Sequence, residues 1–180
     1  MASRLRGNDN WCGSVAQLVE RLPFKQDVLG SNPSRPTKKI VRLHTTVKML
    51  ESFNFEGNEQ PVSFVETMQV TDGVSCDIYS FIDDESKDLG IIKIKPSKKT
   101  PLQKVLKGDR TIEGYISGKG RLVITKTNGE EKVYAVKAKV QPVIVNVGER
   151  MQWQAEKDSD LIVYEICFPP YEDGRFENIK

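Results

Sequence analysis

From Pro61 to Phe168, apolar and polar residues alternate in short runs separated by turn-forming residues. A period of two puts successive side chains on opposite faces of a strand, so the pattern predicts half-buried β-strands. The predicted strands are Ser63–Val70, Ser75–Ile82, Gly90–Lys95, Thr111–Ser117, Arg121–Thr127, Lys132–Lys137, Pro142–Val147, Met151–Gln154 and Leu161–Phe168. Asn128-Gly129, between Val123-Ile124 and Val133-Tyr134, predicts a hairpin with a type I′ turn, in which both central residues need positive φ. Asp83 to Ser86, Pro96 to Lys99 and the Pro169-Pro170 pair mark loops. About nine strands in a domain of this length close most readily as a double-sheet jelly roll or barrel, which protects the sheet edges. After the proline pair, Tyr171 to Arg175 reads as a tight turn that folds the tail back across the barrel, over a pocket mouth or a dimer surface.

Composition adds a division of the chain. With 38% apolar residues in 180, one domain plus a tail is expected. Residues 1–48 carry nine Lys/Arg against three Asp/Glu, whereas residues 49–180 carry 18 against 22, so the domain itself is mildly acidic. No apolar run reaches the roughly 20 residues that span a bilayer, and no secretory leader is legible, so a cytoplasmic protein without membrane contact is expected. Cys12, Cys76 and Cys167 lack metal-type spacing and read as reduced thiols.

Residues 13–38 resemble an in-frame translation of a transfer-RNA gene. Val15 to Glu20 can be encoded by the common D-arm sequence and Gly30 to Pro33 by the common T-arm sequence, and their offset of 15 codons is the spacing of those arms. Phe24 then falls on the anticodon, and Gly13-Ser14 pairs with Arg35-Pro36 as an acceptor stem. The competing reading is a short amphipathic helix through Val15, Leu18, Val19 and Leu22, cut off by Pro23. The expectation is that residues 1–48 are a spurious or disordered extension, and that the domain comprises residues 49–180. His44, the only histidine, lies in the extension.

Within the domain, Thr100 to Leu122, with its Gly118-Lys119-Gly120 turn, resembles the first motif of the cupin family. Asn146-Val147-Gly148, Met151-Gln152-Trp153 and Leu161 to Pro170 are similar to the second. The resemblance implies an all-β, cupin-type double-stranded β-helix, a jelly-roll barrel, with a metal held by a His-x-His pair, a glutamate and a later histidine. This sequence departs from that pattern at every ligand. Gln103 and Val105 stand where the histidine pair would be, or Val105 and Lys107 under the strict spacing, with Thr111 at the carboxylate and Met151 at the last histidine. Amide, isopropyl, hydroxyl and thioether groups make a poor shell for a transition metal, so no metal and no other cofactor is expected.

By alternation Thr111, Glu113 and Tyr115 share one face, which by the resemblance is the barrel interior. Gln103, Val105, Met151, Trp153 and Glu165 are expected to line the same space, with Cys167 on the face of Glu165. They form either an apolar-aromatic ligand pocket with a few polar groups or simply core filling. Glu113 is the sharpest candidate, because a carboxyl facing such an interior has its pKa raised by desolvation unless it pairs with Arg110 or Lys104 at the rim. Lys93, Lys95, Lys98 and Lys99 lack interleaved aromatic residues and read as a solvated face, so no nucleic-acid partner is expected.

Three functions follow as expectations. The first is a metal-free domain that binds a small polar organic ligand, carbohydrate or a nucleotide derivative of one. The second is a metal-independent sugar isomerase or epimerase that uses Glu113 and Tyr115 as acid and base. The third is a structural or regulatory homodimer with a filled barrel. A homodimer is expected under each.

Overall fold

The computed structural model describes residues 49–136 and 141–179. The expectations for residues 1–48 and for the end of the strand at Lys137 lie outside the described residues. The described strands are β1 (Ser52–Phe55), β2 (Asn58–Thr71), β3 (Val74–Phe81), β4 (Asp88–Ile94), β5 (Leu102–Val105), β6 (Arg110–Gly118), β7 (Gly120–Thr125), β8 (Glu131–Ala135), β9 (Val143–Val145), β10 (Arg150–Ala155), β11 (Leu161–Phe168) and β12 (Phe176–Ile179).

They form two antiparallel sheets, one of seven strands in the order β1-β2-β3-β4-β11-β6-β9 and one of five in the order β12-β5-β10-β7-β8. All nine strands expected from alternation are present. Three more, β1, β5 and β12, are only four residues each. The hairpin at Asn128-Gly129 also forms, joining β7 to β8. Its turn is not type I′, because Gly129 has positive φ and Asn128 does not. Gly129 N–H donates to the Lys126 carbonyl at 2.9 Å, and Asn128 Oδ1 accepts from Glu130 N at 2.9 Å. That is the longer hairpin loop, in which a single left-handed residue suffices and glycine supplies it.

Each face of the large sheet has its own core. Val74, Ile92, Ile94, Leu161 and Val163 point inward and meet Val105, Leu122, Ile124, Met151 and Trp153 of the small sheet. On the outer face Tyr79, Phe81, Leu89, Ile91, Ile112, Tyr164 and Ile166 make a second cluster, covered by the β1–β2 hairpin. Phe53 meets Tyr164 edge-on at 4.9 Å, and Phe55 lies 6.3 Å from Phe168. At about 1.5–3 kcal/mol for each fully buried large apolar side chain, this outer cluster explains why the hairpin folds onto the sheet.

Two glycines fix the geometry of β6, one beneath the outer cluster and one at the end of the strand. Tyr164 lies flat over Gly114, where a Cβ would overlap the phenol ring. Gly118 has φ of 95°, and a Cβ there would overlap the Asp160 carbonyl oxygen. Gly118→Ala is therefore expected to lower unfolding free energy by about 2–4 kcal/mol. Gly129→Ala, with φ of 87° but open space around its Cβ, should cost about 1 kcal/mol. Urea unfolding of both variants measures the difference, and equal losses would show that the overlap with the β10–β11 connection is relieved without cost.

Candidate functional site

The site is built on the middle of β6 and β11, which lie side by side in the large sheet. Register places Glu113 directly opposite Glu165, and Thr111 opposite Cys167. All four face inward, because Ile112 and Ile166 between them belong to the outer cluster. The small sheet supplies the facing wall. Gln103 on β5 pairs with Met151 on β10, and Trp153 stands two residues further along the same face. Gln103, Val105, Thr111, Glu113, Met151 and Trp153 are all buried.

Trp153 ties the two walls together. Its indole Nε1–H donates to Glu113 Oε2 at 2.6 Å. Its backbone is held by Thr100, whose N–H donates to the Trp153 carbonyl at 3.0 Å and whose hydroxyl oxygen accepts from Trp153 N at 2.9 Å. Glu113 Oε1 has no donor among the described residues. Its neighbour is the Glu165 carboxyl, and two carboxyl groups can bond to one another only by sharing a proton.

The electrostatics follow from that arrangement. Burial drives the Glu113 pKa well above its usual value, the charge of Glu165 and the bond to it drive it further, and the indole N–H pulls it partly back. Burial also raises Glu165, as does Asp88, while the bonds to Glu113 and Cys167 oppose the rise. Like charges in desolvated surroundings resist ionising together, so the pair holds on to a proton that isolated carboxyls would release. The Cys167 thiol, 3.5 Å from Glu165 Oε1, is held well above its ordinary pKa by burial and by the carboxylates. A thiol so buried and so raised lacks the thiolate character of an activated cysteine.

Glu165 has a second distinctive property. It is enclosed by protein, yet it keeps accessible surface, as do its inward-facing neighbours Gly90, Ile78 and Cys76. Accessible surface at these inward positions means that the small sheet does not fully cover the inner face of β3, β4 and β11. A Cβ at Gly90 would sit 3.1 Å from Cys76 Sγ, so a larger residue there would need the thiol to give by a few tenths of an ångström. Gln103 Nε2, buried on the opposite wall, has no acceptor among the described residues.

Tyr115 does not join this group. It faces the inner core, but its hydroxyl donates to the Gly118 carbonyl at 2.9 Å, at the β6–β7 turn. Glu113 is not paired with the rim cations either: the Arg110 guanidinium lies 4.4 Å over the Phe168 ring. Arg175, which alternation could not mark, is the unexpected member. It is fully buried, and it donates to the carbonyls of Pro169, Arg110 and Phe168 and to Thr111 Oγ1 at 2.9–3.2 Å. Gly108 makes room for it, since a Cβ there would overlap the guanidinium. Asp88 closes the same end, accepting from Tyr171 N at 2.8 Å. A separate groove of about 570 Å³, lined by Gln69, Asp72, Lys93, Lys95 and Asp160 among others, contains none of the residues anticipated from sequence.

No protein-family model matches the chain, and no curated protein is similar to it in sequence. Solved structures do resemble it. A point mutant of Bacillus subtilis oxalate decarboxylase OxdC superposes with a TM-score of 0.54 at 17% identity, covering 64% of this chain and 30% of that one. Momordica charantia 7S globulin gives 0.51 at 12% identity over 64% and 34% of the two chains. A cupin-2 domain from Rhodospirillum rubrum gives 0.49 at 13% identity over 71% and 79%. The chain spans only about 30% of the oxalate decarboxylase chain. At these identities the likeness is one of fold, and the fold is the cupin-type double-stranded β-helix.

A metal of the kind this fold commonly holds does not fit the side chains present. Gln103, Val105, Thr111 and Met151 occupy the positions where the motif resemblance puts its ligands, and Thr111 Oγ1 is already engaged by Arg175. Among the described residues no group of three or more His, Cys, Asp or Glu is arranged to hold a metal ion.

Proposed function

We propose that residues 49–180 bind a small polar organic molecule inside the barrel, through hydrogen bonds and the Trp153 ring and without a metal. The observation that carries this reading is a buried donor, Gln103 Nε2, that has no acceptor among the described residues and stands on the wall facing the Glu113–Glu165 pair. A buried donor left unpaired costs about 1–3 kcal/mol, so a folded domain retains such a group where something else completes it. A hydroxylated ring of the carbohydrate type matches, because each hydroxyl both donates and accepts and the ring face suits an indole. The accessible surface of Glu165 gives such a molecule somewhere to sit. Acid–base isomerisation through Glu113 and Tyr115 is less well supported, since the Tyr115 hydroxyl is bonded to Gly118.

Gln103→Leu tests the reading, because it removes the unpaired amide and keeps the volume. Ligand-free protein should become more stable by about 1 kcal/mol in urea unfolding. Native mass spectrometry of gently purified protein should show a small-molecule adduct on the parent chain that the variant has lost. A variant that is destabilised, together with a parent chain that carries no adduct, would mean that Gln103 is core filling.

A further inference from the structure

Resting on the reading that the interior binds a ligand, we propose that the Glu113–Glu165 pair is its charge filter, admitting neutral hydroxyl or amide compounds and rejecting carboxylate and phosphate anions. The inward positions of the large sheet supply the argument. Glu66 on β2 stands opposite the inward Ile78, Asp88 lies on β4, and Glu165 and Glu113 lie on β11 and β6. Four acids thus face the interior, and none of the inward positions of β2, β3, β4, β11 or β6 carries a lysine or arginine. The nearby cations are engaged elsewhere. Arg175 gives its terminal nitrogens to three carbonyls and Thr111, leaving its buried Nε without an acceptor among the described residues, and Lys93 is turned to the outer face, 2.5 Å from Asp77.

An anion in this interior would meet several carboxyl groups, against the one nearby buried cation, Arg175, whose terminal nitrogens are already bonded at the end of the barrel, and juxtaposed like charges cost several kcal/mol at an interface. A neutral hydroxyl or amide meets the opposite situation. It can donate to the carboxyl oxygens of the Glu113–Glu165 pair and accept from Gln103 Nε2, which is buried on the facing wall without an acceptor among the described residues. The carboxyl oxygens of the pair offer acceptors to a neutral guest and no counter-charge to an anion. The oxalate named for one structural neighbour is a dianion, and the proposal excludes it here.

Acetamide and acetate test this directly, because they have nearly the same shape and differ in charge. The indole N–H resonance of Trp153 is the reporter, since that group donates to Glu113. It is read on the full chain and separated from that of Trp11 with Trp11→Phe. At pH 7, acetamide should shift the Trp153 signal at concentrations at least about tenfold lower than acetate or oxalate. Glu165→Gln, which removes one charge and leaves the indole acceptor in place, should narrow that ratio. Equal shifts by acetamide and acetate in the parent chain would overturn the charge filter while leaving ligand binding standing. No shift with any probe would instead defeat the binding reading on which the filter depends.

Discussion

Arg175→Met is expected to lower the unfolding free energy by about 3–5 kcal/mol, the range for removing one partner from a buried charged network. The guanidinium is fully buried and satisfies the carbonyls of Arg110, Phe168 and Pro169 and the Thr111 hydroxyl. Methionine fills part of the volume but offers no donor, so several buried acceptors lose their partner at once. Asp88 and Glu165 also lose the nearby positive charge that lowers their pKa values. Arg175→Lys should recover less than half of the loss, because a single ammonium cannot span acceptors arranged for a planar fork. Urea unfolding at neutral pH measures both, with the slope against urea checked for constancy. A loss below about 1 kcal/mol would mean that water replaces the guanidinium and that the C-terminal turn is an ornament of the barrel.

The second large effect is on pH dependence. Glu113 has a folded-state pKa well above the ordinary 4.5, so the folded protein holds a proton that the unfolded chain releases. Stability from this group is therefore fully present below about pH 4.5 and is lost as pH rises through the folded value. Glu165 and Asp88, also raised by burial, act in the same direction. Each unit of elevation costs about 1.4 kcal/mol at high pH. Glu113→Gln keeps the indole acceptor and removes the titration, so it should be close to the parent chain in stability near pH 4.5 and more stable than it by at least about 1.4 kcal/mol at pH 9. Parallel stability curves for the two proteins from pH 4.5 to 9 would show that Glu113 ionises freely and that no proton is shared.

Much of the fold was legible because alternation is a local signal. A residue such as Ile112, flanked by Thr111 and Glu113, announces its own face without knowledge of its neighbours. The three missed strands are four-residue pieces, too short for the period to register, and β12 follows a turn with no apolar run after it. Placement of Glu113, Gln103, Met151 and Trp153 on one interior followed from the same alternation together with the motif resemblance. Their partners did not. That Glu113 faces Glu165 depends on β11 inserting between β4 and β6, a long-range pairing that no short window of sequence contains. Arg175 was invisible for another reason: an arginine in a polar turn looks solvent-bound until the carbonyls around it are seen. Tyr115 fell on the expected face, but alternation fixes only where a side chain leaves the backbone, not where a long side chain ends.

The insertion of β11 also shapes how the polypeptide reaches this state. β1 to β4 form a meander of neighbours in sequence, and it can assemble while later residues are still emerging from the ribosome. β4 and β6, however, have no common partner until β11 is synthesised, and until then each presents an open row of amides and carbonyls beside inward-facing isoleucines and valines. The nascent chain thus passes through a stage in which two unpaired edges await one late strand. Unfinished copies at that stage carry open strand edges of the kind through which nascent chains pair with one another.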